Sequence, residues 1–160
     1  MEYLENIVYD EIQEGDSATY TRSLTEEELV LFAAVSGDVN PVHLDPIFAA
    51  NSLFKERIAH GMWSGSLISA ALATVLPGPG TIYLEQNLNF KRPVRLDDTL
   101  TVKLTVTSKE RRNRLRIDCR VTNQRDEEVV VGEARVVAPT EKLALPKPQL
   151  PTITIGNAPD

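Results

Sequence analysis

Cysteine is almost missing from this chain. Its 160 residues include one, Cys119, so no disulfide can form within it and no multi-cysteine zinc site can be built, which fits a reducing compartment. Aromatic residues make up only 6% and the histidines number two, His43 and His60. Long apolar runs are missing too. The longest that could be a helix lies within Leu67 to Leu76, about half of the ~20 residues that cross a bilayer. Positive charge is short: 17 Lys and Arg against 23 Asp and Glu give a net charge of -6, the wrong sign for neutralising a phosphate backbone, and nucleic acid is not expected as a partner. Met1 is followed by Glu2, Glu5, Asp10 and Glu11 with no basic cap or apolar block, so the domain is expected to start at its first residue and to be cytoplasmic.

What is present is the balance of one globular domain, 42% hydrophobic and 25% charged, long enough to bury a real core. Thr25-Glu26-Glu27-Glu28 reads as a capping box, with the Thr25 hydroxyl on the Glu28 amide and the Glu28 carboxylate reaching back. The helix it starts carries Leu29, Phe32, Ala33 and Ser36 on one face and ends at Gly37. Asp38 to Leu44 reads as a loop, because Pro41 removes an amide and pushes Asn40 from helical dihedrals. Asp45 then caps a short helix that has Pro46 in its first turn and runs to about Asn51. From Gly61 to Leu76 apolar and small residues surround the helix axis without a charge, as in a helix wrapped on all sides by the rest of the domain. Pro77-Gly78-Pro79-Gly80 ends it.

The wrapping follows as period-two alternation: Ile82 to Phe90, Leu100 to Val106, Leu115 to Val121 and a run over Val129 to Val137, with turns at Lys109 to Asn113 and Gln124 to Glu127. Ser17 to Ser23 is a further candidate strand. The expected fold is therefore α+β, one long central helix laid across a curved antiparallel sheet with one wet face. Half of the ten prolines fall in the last 22 residues, which predicts a domain over 1–138 and a Pro-rich tail or linker over 139–160. Free sheet edges around a whole buried helix point to a homodimer.

Both histidines sit in the irregular region before the central helix, with Asp38, Asn40 and Asp45. Asp38 and His43 would diverge on a regular helix but can converge in a segment broken by Pro41. A carboxylate and an imidazole aimed at one spot can hold a water, one taking its proton and the other returning a proton to substrate. At the mouth of the central helix the Gly61 amide has no internal partner and sits at the positive dipole end, placed for an oxygen that becomes negative. Those parts suit addition of water to a double bond conjugated to a carbonyl, or its removal.

Four segments carry a resemblance: Ser36-Gly37-Asp38-Val39-Asn40-Pro41-Val42-His43-Leu44-Asp45, Arg57-Ile58-Ala59-His60-Gly61-Met62, Pro79 to Leu84, and Phe90-Lys91-Arg92-Pro93-Val94. Over about residues 10 to 138 the chain resembles the MaoC-like (R)-specific enoyl-CoA hydratases, the hydratase 2 type of the hot dog fold. The resemblance implies a homodimer and syn hydration of trans-2-enoyl-CoA to (R)-3-hydroxyacyl-CoA, without metal or redox cofactor, coenzyme A being part of the substrate. It places the catalytic pair on Asp38 and His43 and the oxyanion amide on Gly61, with Asn40 orienting the pair or its water and Ser69 matching a supporting serine. Through Pro139-Thr140-Glu141-Lys142 the chain also resembles the N-terminal part of fused proteins whose second half is a phosphate acyltransferase.

Other readings stand beside these. His60 is expected to orient the loop or the Gly61 amide, and Ser69 alternatively bonds a helix carbonyl. Asp45 reads as a cap. Asp38, His43, Asp45 and His60 hold the ingredients of a facial metal triad, which the resembled family does not use. Lys91, with Arg92 and Arg95, either meets coenzyme A phosphates or guards a sheet edge. Trp63 and Tyr83 are core or tunnel wall. The rival functions are a hot dog acyl-CoA thioesterase and a non-catalytic acyl-CoA-binding or dimerisation module.

Overall fold

The computed structural model describes residues 1–157 and 159. In chain order the elements are β1 (Tyr3–Glu5), β2 (Ser17–Ser23), α1 (Glu26–Ser36), α2 (Pro41–Leu44), α3 (Pro46–Ala50), α4 (Gly61–Thr74), β3 (Ile82–Gln86), β4 (Asn89–Phe90), β5 (Thr99–Glu110), β6 (Arg114–Thr122), β7 (Glu128–Val137) and β8 (Ala144–Pro146). The main sheet has the order β2-β5-β6-β7-β3, with β4 also on β7, and every pairing is antiparallel. No described helix is long and apolar enough to cross a membrane.

The alternation in β5 and β6 does what its period requires. Leu100, Val102, Leu104 and Val106, and Leu115, Ile117, Cys119 and Val121, all turn inward and are buried, each large side chain contributing about 1.5–3 kcal/mol. They meet Trp63, Leu67, Ile68, Ala71 and Leu72 of α4 in one core. The outward residues of β6 are polar and carry ion pairs, such as Arg120 with Asp118 at 3.1 Å.

Two expectations about the wrapping change. The strand expected over Ile82 to Phe90 is broken after Gln86, where the Asn87 main chain crosses β7. A Cβ on Gly132 would lie 2.0 Å from the Asn87 carbonyl oxygen, so only glycine admits that crossing. Nor is α4 covered on every side. Met62, Ser66 and Ala73 are exposed and Ser69 and Ala70 half-buried, and Ile82, Tyr83 and Leu84 on the neighbouring edge strand are exposed as well. Helix α4 ends at Thr74, two residues short of the expected end.

The caps are mostly as expected. Thr25 Oγ1 accepts from the Glu28 amide at 3.2 Å, but the Glu28 carboxylate turns to Arg22, so the box is half made. The segment after Asp38 is not loop throughout, because Pro41 at the first helical position starts the single turn of α2, where its missing amide costs nothing. The proline-rich segment expected as a tail is tied down as far as Lys147: β8 pairs with β1, and the Asn6 side chain bonds the main chain at Pro79, Glu141 and Leu143. Residues 158 and 160 of that segment lie outside the described residues.

Candidate active site

Three local devices build the loop after α1. Gly37 takes φ 76° and its N–H closes on the Ala33 carbonyl, turning the chain out of the helix. Asp38 Oδ1 accepts from the Asn40 amide at 3.1 Å, which leaves Oδ2 free. Asn40 Oδ1 in turn accepts from the Val42 amide at 3.2 Å, capping α2 and swinging His43 inward until it is 7% exposed. Asp38 and His43 therefore converge because a turn and a cap lie between them, and Asn40 serves by shaping that path.

His43 Nδ1 lies 2.7 Å from the Ile58 carbonyl oxygen. A carbonyl only accepts, so Nδ1 carries the hydrogen and the neutral ring presents a lone pair at Nε2. That nitrogen stands 3.6 Å from Asp38 Oδ2, two acceptors face to face and too far apart for a direct hydrogen bond. A water about 2.8 Å from each can donate one hydrogen to the nitrogen and one to the oxygen. The Asp38 side chain is 49% exposed and that of His43 9%, so access is from the carboxylate side.

His60 stacks on His43, with ring centroids 3.8 Å apart and planes 25° from parallel. Its Nε2 donates to the main-chain oxygen of Asp38 at 2.8 Å, and Phe32 packs on it with centroids 5.1 Å apart. As its N-cap, His60 makes no side-chain bond to α4, and the Gly61 and Met62 amides have no intrahelical partner. A Cβ at Gly61 would come 3.0 Å from Phe90 Cε1. Asp38, His60, Gly61, Phe32, Met62 and Phe90 line one cavity of about 370 Å³, and His43 stands against its Asp38 and His60 walls. A second cavity of about 280 Å³ shares His60, Gly61 and Phe90 with the first and is also lined by Ser64, Lys91 and Arg92.

Ser69 is not brought to the pair. It lies two turns further along α4, about 12 Å from Gly61 by helix rise, on a groove of about 500 Å³ shared with Phe32, Met62, Ser66 and Tyr83. Tyr83 lines that groove and its hydroxyl pairs with Gln86. Asp45 is a cap, its Oδ1 accepting from Ile47 at 2.8 Å and Phe48 at 3.1 Å.

Asp38, His43 and His60 offer donor atoms within 4.8 Å of one another. Imidazole lone pairs lie in the ring planes, and rings stacked 3.8 Å apart at 25° do not aim two of them at one ion about 2.0–2.1 Å from each. Each ring also already spends one nitrogen on a carbonyl. The arrangement suits proton transfer better than metal ligation.

Sequence reasoning misses the Ile58 carbonyl, which fixes the tautomer, and the Phe32 and Phe90 rings that enclose the cavity. A main-chain acceptor leaves no signature in residue types, and Phe90 reads only as a strand residue. The one available signal is its place beside Lys91-Arg92-Pro93.

Comparison with known proteins points the same way. The MaoC-like domain family matches residues 9–129. The "(R)-specific enoyl-CoA hydratase" of Rhodospirillum rubrum is 43% identical over 134 residues, 82% of this chain and 91% of that protein. The "3-hydroxybutyryl-CoA dehydratase" of Methylorubrum extorquens is 41% identical over 143 residues, 88% and 89% of the two chains. Among solved structures, R-hydratase PhaJ1 of Pseudomonas aeruginosa in its unliganded form superimposes with a TM-score of 0.94 at 58% identity, covering 97% of this chain and all of that one. A central helix wrapped by an antiparallel sheet, a D-x-N-P-x-H turn that faces a helix-leading glycine, and these likenesses together establish that the chain is a hot dog protein and belongs to the MaoC-like family.

Proposed function

We propose that this protein is a hydro-lyase that adds water to trans-2-enoyl-CoA and gives (R)-3-hydroxyacyl-CoA, reversibly. The observation that carries the reading is His43 Nε2 facing Asp38 Oδ2 at 3.6 Å while Nδ1 is committed to Ile58. The water that donates to both loses a proton to the pair as its oxygen bonds the β carbon. The π electrons move onto the thioester oxygen, which the Gly61 amide receives. The pair then returns a proton to the α carbon from the same face, so hydroxide and proton together make up the one water consumed. The pair shares the proton between the Asp38 carboxylate and the His43 ring. The enolate-like charge is met by an amide, and the reaction runs without metal or redox cofactor.

Lys91 and Arg92, exposed residues that line the second cavity, are suited to the phosphates of coenzyme A. Ser69 and Tyr83 belong to the acyl side, along α4. The protein works as a homodimer, in which a second copy covers the open stripe of α4 and the exposed edge of β3; an uncovered apolar edge of that kind invites pairing.

The test is incubation with crotonyl-CoA, following the conjugated enoyl absorbance and free thiol in parallel. Loss of the enoyl absorbance without thiol release supports the reading. Thiol release without hydration selects a thioesterase, and binding without turnover selects a non-catalytic module.

A further inference from the structure

His60 touches both members of the pair yet has no step in the chemistry above. Its ring is 3% exposed, lies 3.8 Å from that of His43 and donates from Nε2 to the Asp38 main-chain oxygen at 2.8 Å. No backbone amide donates to that oxygen among the described residues. With the hydrogen on Nε2, Nδ1 is a bare acceptor, and it is buried with no hydrogen-bond partner among the described residues. A buried unpaired nitrogen destabilises the fold. A phenyl ring would fill the same space against His43 and Phe32 without that cost. What an imidazole supplies and a phenyl cannot is the hydrogen bond to Asp38.

We infer that His60 is a positioning residue: its Nε2–H fixes the peptide of Asp38 and so sets where the carboxylate stands relative to His43. The inference rests on the hydratase reading. Asp38 follows Gly37, whose φ is 76°; among the described residues its side chain is held through the Asn40 amide at 3.1 Å, and its own amide donates to Ser36 Oγ at 3.2 Å. The carbonyl is thus the third point that stops the residue from rotating as a unit. Releasing it moves Oδ2 across the 3.6 Å gap to Nε2, where a displacement of about 1 Å is enough to lose ~100-fold in rate. His43 keeps its own anchor on Ile58, so the effect passes through Asp38 alone. His60 is 3% exposed and offers the cavity little surface, which places the loss in kcat rather than KM.

Three variants separate donor from stack. His60→Phe keeps the ring and removes the donor. His60→Gln keeps a donor the same number of bonds from Cβ and removes the ring. His60→Asn offers an amide one bond shorter that does not reach the carbonyl. With crotonyl-CoA, His60→Phe and His60→Asn are expected to lower kcat by about 10–100-fold with KM within about threefold, while His60→Gln stays within about fivefold of the parent. Nitrogen-15 spectra are expected to show His43 with its hydrogen on Nδ1 throughout. Where the Phe variant does not fold, the Gln and Asn pair carries the comparison. Equal kcat in Gln and Asn, a Phe variant within twofold of the parent, a loss confined to KM, or a His43 tautomer that changes with the loss overturns the inference. A parent protein that does not hydrate the substrate overturns the hydratase reading and this inference with it; a competent parent with equally competent variants overturns this inference alone.

Discussion

Replacing Asp38 by asparagine isolates charge and proton transfer from shape. The new side chain has the same outline, and its carbonyl oxygen can still accept from the Asn40 amide, now at 3.1 Å from Oδ1. The turn into α2 therefore survives. Where Oδ2 stood 3.6 Å from His43 Nε2, an NH₂ now points at the lone pair, and two groups that both accepted from water become a donor facing an acceptor. Water loses one of its two anchors and the pair loses its capacity to share a proton. Losing a positioned acid or base costs about 10²–10⁴ in rate, or about 2.7–5.4 kcal/mol of barrier. Stability should hardly move, because the side chain is 49% exposed and surface changes of this kind stay within about 0.5 kcal/mol. The assay is hydration of crotonyl-CoA, read beside urea unfolding of the same preparation. An Asp38→Asn protein with kcat/KM within tenfold of the parent and an unchanged unfolding curve would refute the role given to the carboxylate.

Other outcomes follow from neighbouring features. Gly61→Val should lower kcat/KM by about 10–100-fold, because a Cβ there already meets Phe90 at 3.0 Å and a larger side chain displaces the ring or screens the amide; steady-state kinetics check this. Cys119 is buried and its thiol is pushed up to about 12 by burial, so a thiol reagent at mildly alkaline pH should leave the native protein unlabelled and label one site after denaturation. Thr25→Ala removes the acceptor for the Glu28 amide and should lower unfolding stability by about 1 kcal/mol in a denaturant titration.

The features legible in the sequence are those set within a few residues. Thr25 and Gly37 bound α1 because a cap and a left-handed turn are local, and β5 and β6 show their buried face because strand alternation depends only on neighbours along the chain. Asp38 and His43 were identifiable from the D-x-N-P-x-H spacing together with the family resemblance. What distant partners decide was not legible. The break at Asn87 requires Gly132 on another strand, and the Glu28 carboxylate chose Arg22 over its own cap. Segments at opposite ends of the chain pair as β1 and β8, an association no local pattern announces in a proline-rich stretch. The place of Ser69 was not legible either: the resemblance implied a supporting serine there, and the structure sets it two turns along α4 from Gly61, on the groove it shares with Phe32, Met62 and Tyr83.

Hydration of crotonyl-CoA in deuterium oxide, with the configuration at both new centres read by NMR, tests most directly whether one face of the substrate meets a single acid–base pair. The expected product is (R)-3-hydroxy and carries deuterium on the α carbon in the syn position. An (S) product, or deuterium placed anti to the hydroxyl, contradicts it.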